Sequence, residues 1–470
     1  MRLRATREAD PRGIPLTTTT IDRTRLTALV ARERSRYAAT HPASRAAFAA
    51  AAPNLLGGVP MTWMGKWAGG FPLYFTQARG NRITDADGHS YVDFCLGDTG
   101  AMAGHSPPAT VAAVTRRIDE LGGVTTMLPT DDAAWVGAEL ERRFGLPSWS
   151  FTLTATDANR WALRLARQVT GRPRVLVFNY CYHGSVDETF IVLRDGRARS
   201  RPGNVGAPVD PVVTSRVVEF NDLAALEREL SYGDVAAVLA EPALTNIGIV
   251  LPDDGFHDAL RALTLASGSL LVIDETHTLS AGPGGCTRAW GLRPDIVTIG
   301  KSIGGGIPCG AYGLSAKMVE RISAERDADL VDVGGVGGTL AGNALSTAAM
   351  RATLAQVLTE DAFARMEALA ARYTAGVQQV VDAHSLPWSV VQLGARAEYR
   401  FASPAPRDGG SSAAAADDEL DDYLHLSLVN RGILLTPFHN MALMCPTTTE
   451  ADVDLHTSVF AASVAELIAP

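Results

Sequence analysis

The apolar positions change their spacing along the chain, and three regimes follow from that. Residues 21 to 50 alternate apolar and charged positions at near-helical spacing, which predicts one or two amphipathic helices ended by Gly57, Gly58 and Pro60. Arg82 to Phe94 carries β-favouring residues on both sides of Asp87-Gly88, a hairpin signal. From about 150 to 315 short, wholly apolar runs alternate with helical patterns. The runs are Ser150–Thr154, Val175–Asn179, Val235–Glu241, Leu270–Asp274, Asp295–Gly300 and Gly310–Leu314, and the helical stretches include Ala158–Thr170, Leu223–Leu230 and Gly255–Ala266. Strands apolar along their whole length, separated by helices, predict an α/β unit with a mostly parallel sheet covered on both faces.

After residue 343 the chain turns Ala- and Leu-rich, with helical patterns to Asp382 and strand-like pieces at Trp388–Leu393 and Glu398–Phe401, which predicts a smaller α+β unit. The division expected is 1–80 as an N-terminal lead and helices contributing to the small domain, 81–342 as the large domain, and 343–470 as the small α+β domain. Ser403–Asp418 is of low complexity and reads as an exposed, flexible excursion, and residues 1–20 as a polar, mobile lead.

Composition narrows the function. Acidic residues outnumber basic ones by 51 to 42, giving a net charge of −9 and disfavouring nucleic acid as a partner. No apolar run is long enough to span a bilayer. The five cysteines, with no Cys-x-x-Cys pair, suggest reduced thiols and a cytoplasmic setting. Asp85-x-Asp87-Gly88 faintly echoes a calcium loop but lacks the other ligand positions, so no metal is expected.

The chemistry concentrates at predicted strand ends. Asp274 closes one buried strand, and Lys301 follows another and precedes three glycines. An ammonium at a buried strand end must be paired or lose its charge. Condensation with an aldehyde cofactor removes it, while Asp274 supplies a carboxylate that keeps a pyridine nitrogen protonated, the pairing of pyridoxal phosphate chemistry. Gly300-Lys301-Ser302 resembles the end of a P-loop, but Asp295 stands where that motif needs glycine. Ala155 and Thr156, between a strand and a helix, offer backbone N–H groups to a phosphate. Tyr182, with His183 and Gly184 after the strand Val175–Asn179, offers an aromatic face to a planar ring. Taken singly, an ordinary helix cap and a packed core aromatic explain these two stretches as well.

Together, Asn179 to Gly184 (NYCYHG), Ala240-Glu241-Pro242, Ile273-Asp274-Glu275-Thr276, Thr298 to Lys301 and Gly337-Gly338-Thr339 resemble the class III pyridoxal-phosphate aminotransferases, nearest the branch of glutamate-1-semialdehyde aminomutase and β-amino-acid aminotransferases. The resemblance spans about residues 50 to 465. It implies the fold type I architecture, pyridoxal 5'-phosphate as cofactor, Lys301 as the Schiff-base lysine and Asp274 as partner of the pyridine nitrogen. Tyr182 then stacks on the ring, Thr276 packs on its other face where relatives usually have Val, and Ala155 and Thr156 cradle the phosphate. Glu241 lies near the substrate side, His183 shapes the turn beside the cofactor, and Thr339 reaches the cofactor of the neighbouring subunit in a homodimer.

The chain departs from the family at Ala155, usually Gly, and at Thr436 to Asn440, where relatives often carry a carboxylate-gripping arginine and this chain has none. Trp63, Trp67, Arg400 and Phe438 are the substrate-side candidates, with Arg160 and Arg396 as further possible carboxylate partners. The expected activity is transfer of an amino group between an amine, amino aldehyde or β-amino acid and a carbonyl acceptor. An aminomutase or racemase on the same fold, and a non-catalytic cofactor-binding or scaffold protein, are the alternatives.

Overall fold

The six apolar runs read from the sequence belong to one seven-stranded sheet. The computed structural model describes residues 19–206, 209–324 and 338–469. In spatial order the strands are Ser148–Thr152, Gly310–Leu314, Ile296–Gly300, Leu270–Asp274, Val235–Ala240, Arg174–Phe178 and Ser215–Val218. Gly310–Leu314 runs antiparallel to both neighbours, and the other pairs are parallel. Every residue of Val235–Ala240, Leu270–Asp274 and Ile296–Gly300 is buried. Strands covered on both faces have no polar face to show, which is why the sequence reads as unbroken apolar runs.

The seventh strand, Ser215–Val218, escapes that signature. It lies at the sheet edge, and Arg216 in its middle is tied to Asp234 and Glu229 at 2.7 Å each. A charged side chain on a short edge strand guards it against pairing with another chain. The first strand also stops two residues earlier than its expected end. Thr154 is the N-cap of the helix Ala155–Thr170, its hydroxyl accepting from the Asp157 N–H at 3.1 Å.

The helices Arg23–Thr40 and Pro42–Ala51 form as the spacing predicts, and Pro42 sits in the first turn of the second. The Asp87-Gly88 hairpin joins Arg82–Asp85 to Ser90–Asp93, with Asp85 accepting from the backbone of Asp87 and His89 at 3.0 and 2.8 Å. A second, three-stranded antiparallel sheet contains Ser389–Leu393, Arg396–Arg400 and Met441–Leu443. The long helices Glu360–Ala383 and Glu450–Ile468 cover it, and Trp388, Tyr399 and Phe460 pack between them.

The segment Ser403–Asp418 corrects the sequence reading. It is ordered against the large sheet: Gly409–Ala414 is a short helix with a capping box from Asp408, Gly410 N donates to Glu219, and Ser412 is buried. A side chain at Gly409 would overlap the Asn179 carbonyl, so the glycine that signals flexibility instead permits close docking. Residues 1–18 of the lead and Gly337 of the Gly337-Gly338-Thr339 motif lie outside the described residues. Among the described residues, no helix is long and apolar enough to cross a membrane.

Candidate active site

Six strands deliver their carboxyl ends to one edge of the large sheet, where open α/β sheets bind ligands. Asp274, the last residue of its strand, is buried there among donors. Its Oδ2 accepts from Asn159 Nδ2 and is bonded to His183 Nδ1, both at 2.8 Å, and its Oδ1 accepts from the Thr276 N–H at 3.0 Å. Burial alone would raise its pKa. The His183 bond, with Thr276 and Asn159, outweighs burial and brings it down to about 2. Asp274 is therefore a carboxylate at neutral pH.

Lys301 opens a tight helical turn directly after the strand Ile296–Gly300, and its backbone is left-handed, with φ at 54°. A lysine gains nothing intrinsically from that conformation, so the surroundings impose it. Its Nζ lies 2.9 Å from Asp98 Oδ2, 3.0 Å from the Asp98 carbonyl and 2.8 Å from His277 Nε2. Burial opposes the Asp98 charge, but the Lys301 cation beside it outweighs burial and holds that carboxyl well below the usual range. Burial and the Lys301 cation push His277 well below its ordinary value.

Asp274 and Lys301 line the same cavity, of about 450 Å³, a size suited to a small molecule. Ala155, Thr156, Tyr182, His183, Thr276 and Trp63 also face it. Ala155 and Thr156 open the helix Ala155–Thr170, so their N–H groups have no partner within the helix, and Ala155 adopts no left-handed φ. Trp63 sits at the mouth against Tyr182 and Phe438, with ring centroids 5.3 and 5.4 Å apart, and Lys66 Nζ lies over both Trp63 and Phe438.

Other sequence-derived candidates lie elsewhere. Glu241 is buried behind Tyr182, accepting from the Tyr182 N–H at 3.3 Å and from Thr245 N at 3.1 Å, and burial raises its pKa. It holds the backbone carrying the ring and does not line the cavity. Trp67 packs on the apolar core. Arg400 is buried in its own sheet, donating to the Ser412 carbonyl. Arg160 reaches the Ser185 carbonyl at 3.3 Å. Thr339 is exposed in a separate depression with Met127, Leu128 and Phe151.

Three residues were missed by sequence reasoning: Asn159, His277 and Asp98. Asn159 lies four residues past Ala155, one turn inside the same helix, and helical spacing alone would have aimed both at the strand ends. His277 and Asp98 are brought to Lys301 from separate loops, and no local pattern marks them.

The match to a family model decides the class. Residues 63–462 fit the model of class-III aminotransferases. The chain belongs to that family. Its architecture is fold type I, and membership brings pyridoxal 5'-phosphate as cofactor. This family member is 34% identical to a glutamate-1-semialdehyde 2,1-aminomutase of Sorangium cellulosum over 432 residues, 88% of this chain and 94% of that one. Among solved structures, a glutamate-1-semialdehyde aminomutase of Pseudomonas aeruginosa in complex with PMP superposes with a TM-score of 0.93 at 50% identity, covering 95% of this chain and 99% of that one. An omega-transaminase of Sphaerobacter thermophilus superposes at 0.82 with 28% identity, covering 90% and 98%.

The cavity fits the cofactor on its own terms. A carboxylate held ionised, a ring-sized aromatic, unpaired helix N–H groups and an amine lie around one space, and the buried Thr276 Oγ1 has no hydrogen-bond partner. These are the complements of a pyridinium, a planar ring, a phosphate and an aldehyde.

Proposed function

We propose that this protein is a pyridoxal-phosphate enzyme that moves an amino group between an amine, amino aldehyde or β-amino acid and a carbonyl compound. The observation that carries the reading is that Asp274 and Lys301, 27 positions apart in sequence, face one cavity with every neighbour suited to the role assigned. Pyridoxal phosphate, when bound, supplies an aldehyde that condenses with amines and a cationic ring that withdraws electrons from the adjacent carbon.

The protein's part is to hold groups and move protons. Asp274, fixed by Asn159, His183 and Thr276, keeps a proton on the ring nitrogen by presenting a carboxylate that does not itself protonate near neutral pH. Lys301 Nζ would hold the cofactor's aldehyde carbon and, as a free amine, would take the proton from the substrate carbon and return it elsewhere, as general base and acid. The N–H groups of Ala155 and Thr156 bind the phosphate, with the helix dipole behind them. Tyr182 and Thr276 bound the ring's two faces, and Trp63 and Phe438 wall the mouth against water. No arginine is among the described residues lining the cavity, which supports donors that need no carboxylate clamp.

Thr339 is assigned to the cofactor phosphate of a second subunit. Met127 and Leu128 beside it are 84% and 71% exposed, a pair of large apolar side chains that a second copy would cover. All five cysteines are unpaired, four of them buried, which supports a reducing compartment such as the cytoplasm.

The deciding experiment loads the protein with pyridoxal phosphate, reduces it with borohydride and maps the modified peptide. An adduct on Lys301 is expected, and its absence overturns the assignment. The similarity to named aminomutases supports a second reading, in which nitrogen moves within one molecule. Single-turnover release of a free carbonyl product from an amine donor supports transfer, whereas quantitative isomerisation of glutamate-1-semialdehyde without release supports the mutase.

A further inference from the structure

The three neighbours of Lys301 Nζ do not act in the same direction. Asp98 offers two acceptors, its carboxylate and its carbonyl. The direction of the third contact, to His277 Nε2, is decided on the far side of the imidazole. There Nδ1 faces Arg396 Nη2 at 3.0 Å and Thr99 Oγ1 at 3.2 Å. A guanidinium has donors only and does not deprotonate in proteins, so Nδ1 carries the lone pair. A neutral imidazole then has its one hydrogen on Nε2, aimed at the amine.

The ring is neutral first because it is buried; the cations Lys301 and Arg396 add to burial against the pull of Asp98 and Asp274. An N–H directed at an amine is accepted by the nitrogen lone pair, which an ammonium lacks. The contact therefore favours the free base, while the Asp98 carboxylate favours the cation.

We propose that His277 and Asp98 set the protonation of the Lys301 amine from opposite sides, and that Arg396 is a positioning residue that fixes the imidazole tautomer the arrangement needs. This goes deeper into the reading above, since it concerns the readiness of Lys301 to condense with a carbonyl. Arg396 is only 1% exposed and is not among the residues lining the cavity, and its Nη2 is held between Thr99 Oγ1 and His277 Nδ1. The charged and titratable groups facing this cluster are Asp98 and Asp274, Arg396 with Glu398 on the same strand, Glu241, His439, Tyr182 and Cys95.

The test reads the amine without the cofactor. The full chain, freed of small molecules by dialysis against an amine, is exposed to dilute formaldehyde and cyanoborohydride over a pH series, and methylation of the Lys301 peptide is followed by mass spectrometry. In this reaction nitrogen bonds to the formaldehyde carbon, the carbonyl oxygen leaves as water with one hydrogen from the amine and one proton from solvent, and cyanoborohydride adds its hydride to the resulting C=N carbon. Trapping of pyridoxal phosphate at Lys301 by borohydride is measured alongside.

His277→Leu is expected to move the midpoint of methylation to higher pH by about one unit or more, and Asp98→Asn to move it lower by a similar amount. His277→Gln, which keeps an N–H donor, is expected to restore the wild-type midpoint. Arg396→Met should mimic His277→Leu, and adding it to His277→Leu should give no further shift; an additive shift would mean that Arg396 acts directly by its charge and would overturn its positioning role. Shifts of the same sign in His277→Leu and Asp98→Asn, or none, overturn the proposal whether or not Arg396→Met folds. If the methylation shifts appear but pyridoxal phosphate is not trapped, the amine is set as proposed and the assigned function fails instead.

Discussion

Asn159 donates to the Asp274 carboxylate at 2.8 Å while its own oxygen accepts from the Thr298 hydroxyl at 2.6 Å. One amide thus bridges the helix Ala155–Thr170 to two adjacent strands of the sheet at the point where the cofactor's ring nitrogen is assigned. Both partners are buried, so neither finds water when the bridge is cut.

Asn159→Ala should therefore cost about 1–3 kcal/mol of stability, the penalty for stranding buried polar groups. Denaturant unfolding measures it. The variant should also bind pyridoxal phosphate more weakly, by about tenfold if some 1.4 kcal/mol of the loss falls on the orientation of Asp274. Unchanged cofactor affinity would show that His183 and Thr276 suffice to hold the carboxylate.

The left-handed backbone of Lys301 separates its chemical value from its structural cost. Lys301→Ala and Lys301→Gly should both abolish the borohydride-stable adduct and lower turnover by roughly 10²–10⁴-fold. Yet glycine accepts a φ of 54° without a Cβ clash, so Lys301→Gly should be about 1 kcal/mol more stable than Lys301→Ala. Equal melting temperatures would show that the turn relaxes when the side chain is gone.

At Gly184 the rim of the phosphate cradle is set by the absence of a side chain. Its φ is 76°, and a Cβ there would come within 2.0 Å of Thr156 Oγ1, which itself accepts from the Ser185 N–H at 3.2 Å. Gly184→Ala should displace Thr156 and weaken pyridoxal phosphate binding by at least tenfold, with a stability cost of about 1–3 kcal/mol. Equilibrium dialysis against the cofactor gives the first number and thermal unfolding the second.

What the sequence disclosed and what it hid divide by the range of the interaction. Asp274 and Lys301 were legible because one closes and the other follows an apolar strand, and parallel topology places such ends together. Asp98 lies 203 positions from the lysine it contacts, and Arg396 lies 119 from His277, so no window of sequence holds either pair. Trp67 was placed near the site because the corresponding stretch of relatives lines the substrate pocket, but the tight turn at Thr62–Gly65 sends Trp63 to the cavity and Trp67 to the core. The segment around Gly409 failed for another reason: composition reports how freely a chain moves alone, whereas its docking is decided by the shape of Asn179 and Glu219 opposite.

Asp421 gives a pH dependence whose sign runs against the usual carboxylate. Burial raises its pKa from 3.8 to about 6, although the Asn440 amide at 2.6 Å and the charge of Arg400 pull it down. The folded state therefore holds this proton more tightly than the unfolded chain does, and stability from the group is full below pH 3.8 and lost as pH rises through about 6. Asp421→Asn keeps an oxygen for Asn440 and carries no charge. It should stabilise the protein by about 1–3 kcal/mol at pH 8, where the wild type buries the anion, and by close to nothing at pH values below 3.8. Denaturant midpoints at the two extremes measure the difference, and a gain of equal size at both would place its origin in packing instead of charge.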